Sequence, residues 1–321
     1  MEQETLLSVK DLTIHYITDD GVMKAVNGIS FDLKKGETLG LVGETGAGKT
    51  TTALGIMRLV PDPPGKIVSG EILWNGKNLL KVGKLGMRAI RGKEISMIFQ
   101  DPMTSLNPVM TVGAQLSEVI RIHEKLSRAD AAIRAGEMLE LVGIPSERMD
   151  EYPHQFSGGM KQRVVIAMAL ACNPLMIIAD EPTTALDVTI QAQVLDLMRS
   201  LREKFGTATL MITHDLGVVA EICDRVAIIY AGQIVEQGTL EEIYENTKHP
   251  YTKGLFASLP DMSSKAHRLH PIKGLMPDPA NLPSGCPFHP RCDHARPECA
   301  RRTPVRTEVT PSHFVNCLLY E

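Results

Sequence analysis

With 321 residues, the chain is long enough for one large domain and an appendage. A formal net charge of −4 gives no basis for nucleic-acid binding by the chain as a whole. Its longest uninterrupted apolar run, residues 164–172, falls far short of the roughly 20 residues that span a bilayer. The acidic start Met1-Glu2-Gln3-Glu4 lacks the basic-then-apolar layout of a signal peptide. The chain is therefore expected to stay in the cytoplasm and to reach a membrane only through partners.

In chain order, residues 6–16 alternate as a strand does, and residues 28–33 predict a second, followed by the turn Lys34-Lys35-Gly36-Glu37. Residues 38–42 form a short apolar strand running directly into Gly43-Glu44-Thr45-Gly46-Ala47-Gly48-Lys49-Thr50. Residues 50–59 read as a helix, stopped by Pro61 and Pro63-Pro64. Residues 71–74 followed by Asn75-Gly76 are a hairpin signal, and residues 95–99 predict a buried strand ending at Gln100. From about 101 to 173 the pattern is helical, most clearly at 112–123 and 129–142. After Pro174 strands return at 175–179, 209–213 and 226–230, with a helix at 188–205 between the first two. This alternation argues an α/β core with a largely parallel sheet, and the all-helical stretch argues a subdomain. Ten of the twenty prolines lie between Pro260 and Pro311, too many for helices or central strands. The expected division is a domain over 1–259, with its helical part at about 101–173, and an extension over 260–321.

The loop 43–50 fits the phosphate-binding pattern G-x-x-x-x-G-K-[ST] and sits between a strand and a helix, as its mechanism demands. Glycines let backbone N–H groups turn inward around phosphate oxygens, and the following helix adds its positive end. Lys49 would bridge the β and γ phosphates of ATP, Thr50 would ligate Mg²⁺, and Thr51 completes the nucleotide-contacting run. A second site lies where the apolar run 175–179 ends in Asp180-Glu181. Ligands of open α/β sheets bind beyond the carboxyl ends of strands, so Asp180 would hold Mg²⁺ directly or through water. Glu181 would act as general base or polariser for an attacking water. Gln100 would touch metal and water, and His214, closing the strand 209–213, would contact the γ-phosphate. Taken singly, these residues have plainer readings: a helix-capping acidic pair, a solvated glutamine, a surface histidine.

These motifs, in this order and with Phe156-Ser157-Gly158-Gly159-Met160-Lys161-Gln162-Arg163 between them, resemble the ATP-binding subunit of an ABC transporter over roughly residues 5–250. The resemblance implies a P-loop ATPase core with an antiparallel β subdomain and an α-helical subdomain. It implies a head-to-tail dimer, in which Ser157, Gly158 and Gly159 close on the ATP held by the partner, with Asp187 at the interface. It makes Gln100 part of a hinge toward the membrane subunit. Tyr16, 27 residues before Gly43, matches the adenine-stacking aromatic, although a core tyrosine is the rival reading. Phe156 and Met160 depart from the commoner Leu and Gln of the signature. Gln100-Asp101-Pro102-Met103-Thr104-Ser105-Leu106-Asn107-Pro108, Tyr152-Pro153-His154-Gln155 and His249-Pro250-Tyr251-Thr252 narrow the resemblance to the first ATPase of dipeptide/oligopeptide importers. Nickel importers share this pattern. The implied partners are a second ABC ATPase subunit (a paralogue or an identical copy), two transmembrane permeases and an extracellular or periplasmic solute-binding protein. They would gather at the cytoplasmic face of the cell membrane. A soluble ABC protein acting on ribosomes or DNA typically has two cassettes or a long coiled coil. One cassette without sustained heptads speaks against it, and a metal-centred redox protein lacks a catalytic constellation beyond the thiols.

Cys172 and Cys223 sit in apolar surroundings and read as small buried hydrophobes. Cys286, Cys292, Cys299 and Cys317 are spaced C-x₅-C-x₆-C-x₁₇-C, looser than common structural zinc sites. Four thiolates suit tetrahedral Zn²⁺ or a [4Fe–4S] cluster, and the resemblance to iron–sulfur-bearing importer ATPases favours the cluster. His289, His294 and His313 keep a mixed Cys/His zinc site open. Either metal would order a Pro-rich tail by supplying folding free energy. Because the phosphate loop belongs to the preceding domain, loss of one cysteine is expected to leave ATP binding mostly intact.

Overall fold

The computed structural model describes residues 4–19, 21–184, 186–258 and 271–321. Ala185 and the start of the Pro-rich tail, through residue 270, lie outside them. The chain opens with β1 (Thr5–Thr18), β2 (Gly21–Lys34) and β3 (Thr38–Val42), then α1 (Lys49–Ile56). Next come β4 (Gly65–Trp74), β5 (Lys77–Asn78), α2 (Lys84–Ile90) and β6 (Ile95–Ile98). Helices α3 (Pro102–Ser105), α4 (Val112–Glu124), α5 (Arg128–Leu141) and α6 (Gly158–Leu170) follow without an intervening strand. Then come β7 (Met176–Asp180), α7 (Val188–Phe205), β8 (Ala208–Thr213), α8 (Leu216–Ile222), β9 (Arg225–Tyr230) and β10 (Gln233–Thr239). The last elements are α9 (Leu240–Glu245), α10 (Pro250–Ala257), β11 (Thr307–Thr310) and β12 (His313–Val315).

Local chemistry accounts for many boundaries. Asn75 and Gly76 both take positive φ, 46° and 75°, the pairing a two-residue hairpin needs between β4 and β5. Thr111, Ser127 and Asp187 cap α4, α5 and α7 with side-chain oxygens that accept backbone N–H groups. Helix α1 stops at Ile56, earlier than the prolines alone suggest. Arg58 turns left-handed (φ 50°), Arg58 N donates to Gly55 O, and Leu59 N donates to Leu54 O. That is the Schellman ending, which satisfies the last carbonyls without a glycine.

The described chain divides into two compact units. One comprises Met1–Leu6, Leu33–Thr38 and Lys81–Ile212. Within it β6, β7 and β8 pair in parallel, with Ile95 opposite Met176 and Met176 opposite Ala208. Every residue of β7 and β8 is buried, which fits their largely apolar sequences, broken by Asp180 in β7 and by Thr209 and Thr213 in β8. The long apolar run is helix α6, whose Val164, Ile166, Ala167 and Leu170 lie in the core. Helices α4 and α5 contribute Leu116, Ile120, Ala135 and Leu139, each fully buried. Each large side chain buried in this way stabilises the fold by about 1.5–3 kcal/mol.

The other unit comprises Leu7–Asp32, Leu39–Leu80 and Thr213–Glu321. It contains an antiparallel sheet in the order β2-β1-β4-β5 and, separately, β3 paired in parallel with β9. An antiparallel ladder continues from β9 through β10 and β12 to β11. The Pro-rich tail therefore contributes strands, with Val315 opposite Glu236 and Phe314 opposite Gln237. Among the described residues, no helix is long and apolar enough to cross a membrane.

Candidate nucleotide site and cysteine-lined cavity

The segment 43–50 turns between β3 and α1. Its glycines are dictated by space and backbone: a Cβ on Gly43 would come 2.2 Å from Ile229 O, and one on Gly48 would come 2.4 Å from Ala25 O. Gly46 and Gly48 also take φ of +84° and +103°, which side chains disfavour. Lys49 is buried and folds back into the loop, its Nζ donating to Gly43 O at 2.8 Å and to Glu44 O at 3.1 Å. No acidic residue occupies the first turn of α1. Thr45, Gly46 and Thr50 are exposed, Ala47 is buried and Thr51 is half-buried. The loop is a tight, glycine-shaped turn with a buried lysine folded into it.

Glu44 is held in two places that the sequence did not disclose. Arg291 forks onto its carboxylate, with Nη1 at 3.1 Å from Oε1 and Nη2 at 3.2 Å from Oε2. The Glu44 N–H donates to the hydroxyl of Tyr251 at 3.1 Å. Arg291 belongs to the cysteine-bearing extension. The extension thus contacts the phosphate loop itself, through Arg291 on Glu44.

In the other unit, β7 ends in Asp180, which is 1% exposed, and Glu181 follows in a left-handed conformation with φ 48°. That conformation is uncommon for a residue with a Cβ and often marks a functional turn. Glu181 N donates to Ile212 O at 2.8 Å, fixing the turn against β8. Its Oε2 accepts from Gln100 Nε2 at 2.9 Å and from Thr184 Oγ1 at 3.0 Å. Gln100 and Glu181 are therefore brought together, and Thr184 is a further partner that sequence reasoning missed.

Ser157 caps α6 by accepting from Met160 N, and Ser157 and Gly158 are exposed. No acid lies in the first turn of α6. A Cβ on Gly159 would approach Ile190 Cγ2 to 2.5 Å, so glycine permits the close packing of α6 on α7. Asp187 is exposed and its Oδ1 accepts from Ile190 N at 3.0 Å. His214 is exposed immediately after β8. Tyr16 is half-buried on β1, opposite Gly65 of β4.

Cys286, Cys292, Cys299 and Cys317 all line one small cavity, together with His249, His289 and His294. Cys286 N donates to Cys299 O at 2.8 Å, an approach that Gly285 allows by taking φ +71°. Burial, with the neighbouring Cys317, Cys299 and Cys292 adding to it, pushes the Cys286 thiol up to about 11. Burial also raises Cys292 and Cys317. Among the described residues, no group of three or more His, Cys, Asp or Glu side chains is spaced to hold a metal ion. His313 is directed elsewhere: its Nε2 lies 2.8 Å from the buried Glu236 Oε1, and it does not line the cavity. Cys172 and Cys223 are buried, as small hydrophobes would be.

The family description "ABC transporter" matches residues 26–184, and "Oligopeptide/dipeptide transporter, C-terminal region" matches residues 235–299. The chain is 54% identical to the oligopeptide transport ATP-binding protein OppD of Bacillus subtilis (strain 168), covering 98% of this chain and 88% of that protein. It is 51% identical to the dipeptide transport ATP-binding protein DppD of the same organism, covering 99% and 96%. Among solved structures it resembles the ATP-binding cassette MJ0796 in a dimeric post-hydrolysis state bound to ADP and Pi. There the TM-score is 0.66 at 27% identity, covering 73% of this chain and 98% of that one. A similar likeness (TM-score 0.66, 28% identity, 76% and 93% covered) links it to cbiO1 of Clostridium perfringens, part of the transporter complex cbiONQ. Identity at this level over nearly the whole chain places it in one family: the protein belongs to the ATP-hydrolysing, ATP-binding subunits of the oligopeptide/dipeptide ABC transporters.

Proposed function

We propose that this ATPase drives import of di- or oligopeptides from the cytoplasmic face of the cell membrane. Its partners would be a second ATP-binding subunit (a paralogue), two transmembrane permeases and an extracellular or periplasmic solute-binding protein. Peptide as the cargo rests on the relatives, whose names describe oligopeptide and dipeptide transport. The observation that carries the hydrolytic reading is the Glu181 carboxylate, clamped by Gln100 and Thr184 at the end of a buried strand. Such a clamp orients a base toward a water.

In this reading Lys49 and the N–H groups of residues 43–51 bind the β and γ phosphates of ATP. Tyr16 stacks on adenine, and His214 contacts the γ-phosphate. Glu181 takes a proton from water as its oxygen attacks the γ-phosphorus, and the bond to the β–γ bridging oxygen breaks, giving ADP and phosphate. Mg²⁺, when bound, neutralises phosphate charge; Thr50, Gln100 and Asp180 are the residues that would hold it. Ser157, Gly158 and Gly159 serve the ATP of the opposite subunit, with Asp187 beside that interface. The exposed, acid-free start of α6 supports this role, since it is a second anion-seeking helix end.

Cys286, Cys292, Cys299 and Cys317 would hold a [4Fe–4S] cluster, with Zn²⁺ as the alternative. The four cysteines line one cavity but no three of them are spaced to hold a metal ion, so this reading rests on the soft-donor chemistry of the thiols. When bound, it would tie together the strand-poor segment of the extension.

The test is the contrast between two variants. Glu181→Gln is expected to keep ATP affinity while turnover falls ~10²-fold or more. Lys49→Ala is expected to lose nucleotide binding itself. Wild-type turnover in Glu181→Gln, assayed with the permeases, sinks the assignment.

A further inference from the structure

We infer that Arg291 is a positioning residue for ATP binding: with Tyr251, it holds the Glu44 carboxylate away from the phosphates and fixes the first turn of the phosphate loop. The inference rests on residues 43–50 being the ATP-binding loop. A carboxylate one residue after Gly43 is a liability in a loop that must accept a polyanion, because like charges at a few ångströms repel. The chain neutralises that carboxylate from its far end, 247 residues away.

The grip is built rather than incidental. The Arg291 side chain is 7% exposed and Glu44 29%, so water screens the pair weakly. Arg291 is itself fixed on three sides. Its Nε donates to Lys273 O at 2.9 Å, its Nη1 lies 3.4 Å from the Tyr230 hydroxyl, and its guanidinium stands 5.7 Å from the Tyr230 ring centre. Tyr230, Tyr251 and Phe288 pack together, with ring centres 4.6 to 5.4 Å apart. Tyr251 is fully buried, and burial first, then the Glu44 charge, push its hydroxyl pKa up, so it stays neutral. A neutral hydroxyl can accept the Glu44 N–H, whereas a phenolate would add charge beside the phosphates.

Arg291 also sits between Cys286 and Cys292, in the short turn His289–Arg291. Arg291 is the chain neighbour of Cys292, which lines the cysteine cavity, and so links that segment to the phosphate loop. Whatever orders the cysteine segment orders the residue that neutralises Glu44.

Equilibrium titration of the full chain with a fluorescent ATP analogue and Mg²⁺ tests this. Arg291→Met is expected to weaken binding about tenfold, with kcat at saturating ATP changing far less than KM. Arg291→Lys, which keeps the charge without the fork, is expected to fall between. The discriminating variant is Arg291→Met combined with Glu44→Gln. If Arg291 acts by neutralising Glu44, the double variant binds ATP at least fivefold more tightly than Arg291→Met alone. A purely packing role for Arg291 gives no such recovery, and unchanged affinity in Arg291→Met likewise overturns the inference. Lys49→Ala serves as the control: if it binds the analogue normally, the reading of the loop fails. If it loses binding while Arg291→Met does not, only the inference fails. Should Arg291→Met not fold, the same comparison is made between Arg291→Lys and its combination with Glu44→Gln, where recovery supports the inference and its absence overturns it.

Discussion

His249 caps α10 with a ring nitrogen: its Nδ1 accepts from Tyr251 N at 3.0 Å, while the His249 backbone N–H donates to Glu236 Oε2. A capping nitrogen that accepts cannot also carry a proton. The residue is 1% exposed, and burial lowers its pKa to about 4, against the opposing pull of the Glu236 charge. The unfolded chain takes up this proton near the ordinary value of 6.5, so it binds more protons than the folded chain between the two. The stabilising contribution is therefore whole above about pH 6.5 and is lost as pH falls toward about 4, by up to about 3 kcal/mol. Denaturant midpoints measured across that range are expected to fall for the wild type. His249→Asn keeps an acceptor at the cap but cannot titrate, and its midpoints should fall less. Equal pH slopes for the two proteins would remove His249 as the acid-sensitive group.

The cysteine segment is held to its own neighbours by close backbone contacts. The clearest is Gly285, where an added Cβ would lie 2.3 Å from Cys299 O. Since Arg291 belongs to this segment, Cys292→Ser is expected to do two things at once. It should bleach any cluster from anaerobically purified protein and loosen the extension to proteolysis. It should also weaken ATP-analogue binding severalfold, because Arg291 loses its fixed position over Glu44. Loosening without any change in ATP affinity would separate the two sites. This expectation replaces the one read from sequence, and the reason is physical. Glu44 and Arg291 carry no local pattern that announces a partner 247 residues away. The same limit hid β10. Its Glu236 and Gln237 are polar yet buried, and Glu236 is satisfied by Lys248 N, His249 N and His313, none of which is near in sequence. By contrast β3, β7 and β8 were legible, because complete burial leaves short, largely apolar stretches. The phosphate loop was legible because its glycines answer steric demands within the motif itself.

Across the chain, the legible part is the nucleotide chemistry and the illegible part is how the extension meets it. Gln100, Asp180 and Glu181 could be named from the ends of apolar runs, and Gln100 Nε2 donates to Glu181 Oε2. Thr184 could not, because a threonine after Glu181-Pro182 signals nothing alone. For the transporter as a whole, the decisive measurement is peptide uptake by the reconstituted complex in proteoliposomes, with the binding protein on the opposite side from the ATPases. The wild-type complex is expected to accumulate labelled oligopeptide only when ATP is supplied to this subunit, with phosphate released in step. The complex carrying Glu181→Gln is expected to bind ATP yet neither release phosphate nor accumulate peptide. Wild-type uptake by the Glu181→Gln complex, or phosphate release by the wild type that ignores both peptide and binding protein, would contradict a peptide importer driven by this ATPase.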